Sequence, residues 1–156
     1  MGTAPGPDDG RGVADPGTRV AAGQVVRETI GHPMKSVCLC GSFRFYGDMV
    51  ALREALRAQG VHCEWPKPGP PLAPQAMASD EAKEAILQHL QRMDRADLIF
   101  IFNKGGYAGN SVMMEIGYAY ARRKPVYLLA PLPDPFLMSL VTGVVSIEDL
   151  MRLVQA

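Results

Sequence analysis

Two short segments carry residue types that suit the binding of an anion. Gly41, Ser42, Phe43 and Arg44 follow an apolar run, and residues 103–111 read Asn-Lys-Gly-Gly-Tyr-Ala-Gly-Asn-Ser. Small residues leave backbone N–H groups free to donate, the Ser42 hydroxyl adds a donor, and the Arg44 guanidinium can bind two phosphate oxygens at once. The segments fit a phosphate group, although glycine-rich loops are also common wherever an α/β chain simply turns.

Glu115 is the residue best suited to catalysis. It stands in the first turns of a predicted helix, and its neighbours Val112, Met113, Met114 and Ile116 are apolar. The positive end of the helix favours the ionised carboxylate while burial opposes it, and this competition tunes the pKa of catalytic carboxyl groups. A glutamate near the start of a helix is also common as a capping charge, so both interpretations stay open.

The elements around these residues alternate between strand and helix. Apolar runs predict strands near residues 37–40, 61–64, 97–103, 126–129 and 144–145, with helices over 49–58, 79–93, 111–123 and from 146 onwards. The alternation predicts a flavodoxin-like, Rossmann-like α/β fold with a doubly wound parallel sheet of five strands in the order 2-1-3-4-5. Such sheets bind ligands at the carboxyl ends of the strands, where both loops are expected to lie.

One domain is predicted. Residues 1–34 are rich in Gly, Pro, Asp and Ala, so we expect a disordered N-terminal tail followed by a domain over residues 35–156. A proline-rich stretch from Trp65 to Pro71 follows the second predicted strand, and its length suggests a lid or a pocket wall.

Composition limits the partners of the chain. The 156 residues include 16 basic and 16 acidic side chains, so no long-range field attracts a nucleic-acid backbone or an anionic membrane. The sequence has no signal peptide and no apolar stretch of membrane-spanning length. Its three cysteines are odd in number and lie in apolar runs, which indicates a reducing compartment. We therefore expect a cytoplasmic protein that binds neither nucleic acid nor membranes.

Neither a cofactor nor a metal is expected. No Gly-x-Gly-x-x-Gly motif follows the first predicted strand, which disfavours a dinucleotide cofactor. We expect Cys38 and Cys40 to face opposite sides of their strand, which would deny a metal ion the converging ligands that it needs.

Taken together, the motifs resemble one known family. The segments Gly41-Ser42-Phe43-Arg44, Ala96-Asp97, Tyr107-Ala108-Gly109-Asn110-Ser111 and Glu115-Ile116-Gly117-Tyr118-Ala119 are similar to motifs of the nucleoside 2-deoxyribosyltransferase-like superfamily. This superfamily includes deoxyribosyltransferases and nucleotide N-glycoside hydrolases, and the resemblance covers residues 36–141. It implies the same α/β fold.

The resemblance also implies roles for individual residues. Glu115 would be the nucleophile at the anomeric carbon, where positive charge builds as the base leaves and a carboxylate can trap the sugar as an ester. Ser139 would bind phosphate in the site of a neighbouring subunit, which implies a homodimer or a larger homo-oligomer. The remaining residues expected at the substrate are Gly41, Ser42, Phe43, Arg44, Gly109, Asn110 and Ser111.

Two positions depart from the hydrolases that the chain resembles. They have a tyrosine where this chain has Cys38 and a supporting aspartate where it has His89. His89 could still act as an acid or a hydrogen-bond donor, because the usual pKa of histidine is near neutrality, although a histidine on a helix surface is often inert. Asp97 could contact sugar hydroxyls or only a loop amide, and Tyr46 could stack on a base.

Three functions remain open. The leading hypothesis is cleavage of the N-glycosidic bond of a nucleoside 5′-monophosphate through Glu115, because Arg44 favours a phosphorylated substrate. A nucleoside 2-deoxyribosyltransferase would use the same site with a second base, rather than water, as the acceptor. A non-catalytic nucleotide-binding module is the third possibility, suggested by His89 in place of the aspartate.

Overall fold

A computed structural model of the protein describes Gly2 and residues 34–67 and 73–156. The predicted tail, residues 1–34, thus lies outside the described residues apart from its second and last residues, as do residues 68–72 of the proline-rich stretch. The strands and α-helices are β1 (Val37–Gly41), α1 (Tyr46–Ala58), α2 (Ser79–Arg95), β2 (Leu98–Phe102), α3 (Asn110–Ala121), β3 (Val126–Leu128), α4 (Pro135–Leu140), β4 (Gly143–Val144) and α5 (Ile147–Gln155).

The strands form one parallel sheet in the order β1-β2-β3-β4. β1 and β2 pair along their whole length, with Val37 opposite Leu98 and Gly41 opposite Phe102. Because all the strands are parallel, their carboxyl ends lie along one edge of the sheet. The parallel sheet with its intervening helices is the predicted α/β class.

The prediction of five strands is wrong for the part of the chain that the structure describes. The expected second strand, residues 61–64, runs beside β1, but a single backbone hydrogen bond joins them, from Val37 N to His62 O at 3.0 Å. A strand ladder needs repeated bonds, and Pro66, just beyond this segment, has no N–H to donate. The order 2-1-3-4-5 is therefore not confirmed, and the four strands present are the predicted first, third, fourth and fifth.

Alternate residues of the sheet face two separate hydrophobic cores. Val37, Leu39 and Phe100 belong to one core, which includes residues of α1 and α5. Cys38 and Cys40 belong to the other, which includes residues of α2 and α3. Burial of each large apolar side chain contributes about 1.5–3 kcal/mol, so the two cores hold the sheet between layers of helices.

One helix was not expected from the sequence. α4 begins after Asp134, whose Oδ1 accepts hydrogen bonds from Phe136 N at 2.8 Å and Leu137 N at 3.3 Å, and Pro135 occupies its first position. An aspartate cap followed by proline is a recognisable start signal for a helix.

The length and the apolar character of the described helices bear on whether any of them could cross a lipid bilayer. None of them combines the length and the apolar character that crossing a membrane requires.

Candidate active site

Glu115 is buried on α3, with its side chain 8% exposed, and its Oε1 lies 3.3 Å from Nε2 of His89 on α2. The other carboxyl oxygen, Oε2, is buried and has no hydrogen-bond partner among the described residues. An unpaired buried polar atom costs about 1–3 kcal/mol, so its retention points to a functional constraint rather than to packing.

Cys40 completes this cluster. Its Sγ lies 3.3 Å from the same His89 Nε2 that Glu115 approaches. Because Cys40 is the last residue but one of β1, the cluster lies near the carboxyl end of the sheet. In a catalytic triad the nucleophile and the carboxylate contact different nitrogens of the histidine ring. Here Cys40 and Glu115 both approach the same nitrogen, so the cluster is not arranged as a triad.

Burial controls the protonation of all three groups. It raises the pKa of Glu115 to about 8, against a smaller opposing effect of the hydrogen bond with Cys40. It lowers the pKa of His89 to about 4, assisted by the charge of Arg92, and raises the pKa of the Cys40 thiol well above its usual value. The Glu115–His89 distance would suit an ion pair, but both pKa shifts favour neutral groups, so at neutral pH a protonated carboxyl group faces a neutral imidazole.

Asp94 fixes the two helices that carry His89 and Glu115. On α2, its Oδ2 accepts a hydrogen bond from Tyr118 OH at 2.8 Å, and its Oδ1 accepts one from Arg122 Nε at 2.8 Å. Tyr118 lies on α3 and Arg122 directly follows it. These bonds tie α2 to α3 close to the cluster and so help to set its spacing.

Aromatic rings continue outward from His89. The Trp65 ring meets His89 edge to face at 6.1 Å, and the Tyr46 ring meets Trp65 in the same way at 5.9 Å. Tyr46 OH donates to Lys67 O at 2.5 Å, and the Tyr46 side chain is buried. Tyr46 therefore braces the Trp65 segment, and the expectation that its ring stacks on a base is not supported by this geometry.

The structure brings the two predicted anion-binding loops together at the carboxyl ends of β1 and β2. The Arg44 guanidinium lies over the Tyr107 ring, 3.4 Å from its centroid. Ser42 caps the turn before Arg44, and its Oγ accepts from Arg44 N at 3.4 Å. Gly41 is required at the end of β1, because an added Cβ would lie 2.9 Å from Phe102 O.

The remaining loop residues lie at the same edge. Phe43 is partly exposed in the turn after β1. Gly109 is the N-cap of α3, and Asn110 and Ser111 are its exposed first residues. The first backbone N–H groups of a helix have no partner within the helix, so this end of α3 can donate to an anion.

Asp97 lies elsewhere, and its position does not support the predicted catalytic role. It precedes β2 at the amino end of the sheet, where its Oδ2 accepts hydrogen bonds from Ser36 N at 2.7 Å and Ser36 Oγ at 2.9 Å. Ile101, the β2 residue opposite Cys40, stands four positions further on, a distance of about 13 Å at the usual rise of a strand. Asp97 therefore binds a loop amide, the structural alternative that the sequence left open.

Ser139 lines a surface pocket whose lining includes none of Cys40, His89 and Glu115. It lies on α4, its Oγ donates to Phe136 O at 2.6 Å, and it lines the pocket with Pro125 and Thr142, which precede β3 and β4. Its role in the site of a neighbouring subunit stays a prediction.

The expectation that Cys38 and Cys40 face opposite sides of β1 is wrong, because residues two positions apart in a strand share a face. Their Sγ atoms and a ring nitrogen of His89 all lie within 4.8 Å of one another, so these residues could hold a metal ion. Sequence reasoning missed Cys40 as a site residue, although its place beside Gly41 at the end of a strand was a usable signal.

Comparison with known proteins gives a consistent family and fold. The model of the family described as nucleoside 2-deoxyribosyltransferase matches residues 37–151. A conserved protein from Enterococcus faecalis V583 has a similar structure, with a TM-score of 0.57 and 17% identity over 78% of this chain and 97% of that one. No curated protein matches the chain.

Two further solved structures have similar folds. A 2-deoxyribosyltransferase from Bacillus psychrosaccharolyticus gives a TM-score of 0.52 and 16% identity, covering 74% of this chain and 90% of that one. A CMP N-glycosidase from Clostridium botulinum gives a TM-score of 0.50 and 15% identity, covering 76% of this chain and 95% of that one. At these identities the structural likeness concerns the fold, and activity must be argued from the site.

Proposed function

Because the chain belongs to the nucleoside 2-deoxyribosyltransferase family, whose members are enzymes acting on nucleosides and nucleotides, we propose that it hydrolyses the N-glycosidic bond of a nucleoside 5′-monophosphate. Glu115 is the proposed nucleophile, and free base and a sugar phosphate are the proposed products. The solved CMP N-glycosidase with a similar fold supports a phosphorylated substrate.

The observation that carries this proposal is the state of the Glu115 carboxyl group. It is buried near the carboxyl end of the sheet, one oxygen contacts His89, and the other has no partner among the described residues. Once the carboxyl group has lost its proton, the carboxylate in this site of low dielectric constant stabilises a nearby cationic centre strongly, which is what cleavage of a glycosidic bond demands.

The first chemical step forms an ester. A Glu115 oxygen bonds to the anomeric carbon as the bond from that carbon to the base nitrogen breaks, and the base departs with the electron pair. His89 Nε2, 3.3 Å from Glu115 Oε1, is placed to accept the carboxyl proton and to pass it to the departing base.

The second step regenerates the enzyme. Water attacks the ester at the anomeric carbon, one of its protons returns to the carboxyl group, and the sugar phosphate leaves with retained configuration. If a second base attacks in place of water, the same intermediate yields a new nucleoside monophosphate, and an unphosphorylated substrate would yield a new nucleoside in the same way. Transfer is the second candidate function, favoured by the description of the family that matches.

Arg44 and the paired loops are the proposed phosphate site. The Arg44 guanidinium lies on the face of Tyr107 and forms no ion pair within the described part of the chain. It can therefore turn towards a phosphate without breaking a salt bridge, while Ser42 and the start of α3 supply neutral donors.

The test is release of free base from a panel of ribo- and deoxyribonucleoside monophosphates, with Glu115→Gln as the variant and Glu148→Gln, an exposed site on α5, as the control. Loss of base release in Glu115→Gln alone supports the proposal. A labelled acceptor base separates transfer from hydrolysis. Tight nucleotide binding with no turnover in the wild type would replace the proposal with a binding module.

A further inference from the structure

Three side chains beside the core that includes residues of α2 and α3 bring metal-ligand atoms together. Sγ of Cys38, Sγ of Cys40 and a ring nitrogen of His89 lie within 4.8 Å of one another, and all three residues are buried. The two cysteines share a face of β1, and His89 reaches them from α2. Glu115 Oε1 is a fourth donor atom, 3.3 Å from His89 Nε2.

Two of the separations match those between ligands of one metal ion. A tetrahedral zinc ion binds sulfur at about 2.3 Å and nitrogen or oxygen at about 2.0 Å, so its ligand atoms lie about 3.3–3.8 Å apart. The two contacts of His89 Nε2, to Cys40 Sγ and to Glu115 Oε1, are 3.3 Å. The Sγ of Cys38 lies within 4.8 Å of Cys40 Sγ and the His89 ring nitrogen, so it would have to move closer to bind the same ion.

Hydrogen bonding explains the same contacts less well. A neutral imidazole nitrogen either donates one proton or accepts with one lone pair, so it cannot make good bonds to a thiol and a carboxyl group together. The distance to Glu115 is also longer than the usual separation of about 2.9 Å for a bond to nitrogen. A central ion would bind the imidazole nitrogen, the sulfur and Oε1 at once.

Access and charge also fit a divalent cation. Cys38 lines a cavity of about 90 Å³ together with Trp65 and Arg92, so one ligand of the cluster borders open space. On binding, each thiol loses its proton to solvent and each sulfur gains a bond to the metal without any change in oxidation state. Two thiolates balance the charge of the ion.

We propose that Cys38, Cys40 and His89 form a zinc-binding site, with Glu115 as the fourth ligand. Two thiolates and an imidazole select zinc over hard cations such as Mg²⁺ and Ca²⁺. The site includes the carboxyl group proposed as the nucleophile, so metal binding and sugar transfer to Glu115 exclude each other. Binding itself stands independently of the proposed function.

Titration of the metal-free full chain with Co²⁺, under a non-thiol reductant, tests the ligands directly. Thiolate-to-cobalt charge-transfer absorption and the strong visible bands of tetrahedral Co²⁺ are expected to saturate at one ion per chain and to disappear when Zn²⁺ is added. Absence of the charge-transfer absorption in the wild type would overturn the proposal, whatever the variants do.

Cys63→Ser is the matched control, because Cys63 is equally buried but belongs to the opposite core. We expect Cys38→Ser and Cys40→Ser to lower zinc affinity by on the order of 100-fold, and Cys63→Ser to leave it within a few-fold. Equal losses in all three variants would assign the effect to general damage and overturn the site. If Cys40→Ser does not fold, Cys38→Ser, beside the cavity, decides the comparison.

Discussion

Nε2 of His89 lies 3.3 Å from Oε1 of Glu115, although the two residues stand on different helices. The contact joins a residue expected to be catalytic with one that departs from the resembled hydrolases, where an aspartate stands. The contact places an imidazole within reach of the carboxyl proton that the first chemical step must move. The departure therefore keeps a titratable group beside the proposed nucleophile.

Glu115→Met should separate activity from stability. Methionine has a similar length but no polar oxygen, so the variant removes both the proposed nucleophile and an unpartnered buried oxygen. We expect base release to fall by on the order of 10⁴-fold and the free energy of unfolding to rise by about 1 kcal/mol. Denaturant unfolding and a base-release assay measure the two effects. Lower stability together with retained turnover would contradict both expectations.

His89→Asn should slow the departure of the base. General acids contribute about 10²–10⁴-fold to such steps, so we expect a fall in kcat of that size with ordinary nucleotides. A guanosine monophosphate methylated at N7 releases a base that needs no proton, and its cleavage should fall much less. If both substrates lose the same factor, His89 acts by holding Glu115 in place rather than by moving a proton.

Much of this arrangement was accessible from the sequence. The wholly apolar run Leu98–Phe102 predicted a strand covered on both faces, and the strand-loop-helix order predicted that the loops carrying Arg44 and Tyr107 would lie at one edge. Glu115 was chosen as the candidate nucleophile because it stands among apolar neighbours in the first turns of a helix, where burial and the helix end compete over its charge.

Other features depended on tertiary contacts, or on a helical period that places a residue on the inner face of its helix. His89 was taken for a surface residue, yet it stands four positions before the buried Met93 and so shares the inward stripe of α2. The segment 61–64 has the apolar pattern of a strand but lacks a ladder of bonds to β1. Side-chain pattern predicts burial on a sheet, whereas pairing also depends on how the following chain turns away.

Asp97→Asn should reduce stability and leave turnover intact. Asp97 holds Ser36 at the amino end of the sheet, and the Ser36 backbone N–H and hydroxyl lower the pKa of the Asp97 carboxyl group. Since this side chain is exposed, we expect a loss of only about 1 kcal/mol. A fall in kcat at matched folding would return Asp97 to the list of catalytic residues.

The same pair predicts the direction of a pH effect on stability. A carboxyl group whose pKa is lowered by folding stabilises the native state above its unfolded pKa, and this contribution is lost as the pH falls through the folded value. The difference in unfolding free energy between the wild type and Asp97→Asn should therefore be constant near neutrality and shrink below about pH 4. A difference that grows on acidification would contradict this linkage.

Arg44→Ala should discriminate between phosphorylated and free nucleosides. A charge-assisted hydrogen bond contributes about 1.5–3 kcal/mol, so we expect kcat/KM for the 5′-monophosphate to fall by about 10- to 100-fold, with little change for the nucleoside. Arg57→Ala, an exposed arginine on α1, is the control. Equal losses on both substrates would mean that Arg44 supports the loop through Tyr107 rather than binding phosphate.

Zinc should inhibit base release if the proposed function and the proposed metal site are both correct. The ion would engage the Glu115 carboxylate and occupy the space between it and His89, so the sugar could no longer form an ester there. We expect inhibition to saturate at one equivalent per chain and to reverse with a chelator.

Each variant is compared with its own metal-free rate, and Cys38→Ser should need on the order of 100-fold more zinc than Cys63→Ser. Identical potency in these two variants would place the inhibitory ion elsewhere. Zinc binding without inhibition would support the metal site but would mean that Glu115 is either not a zinc ligand or not the nucleophile.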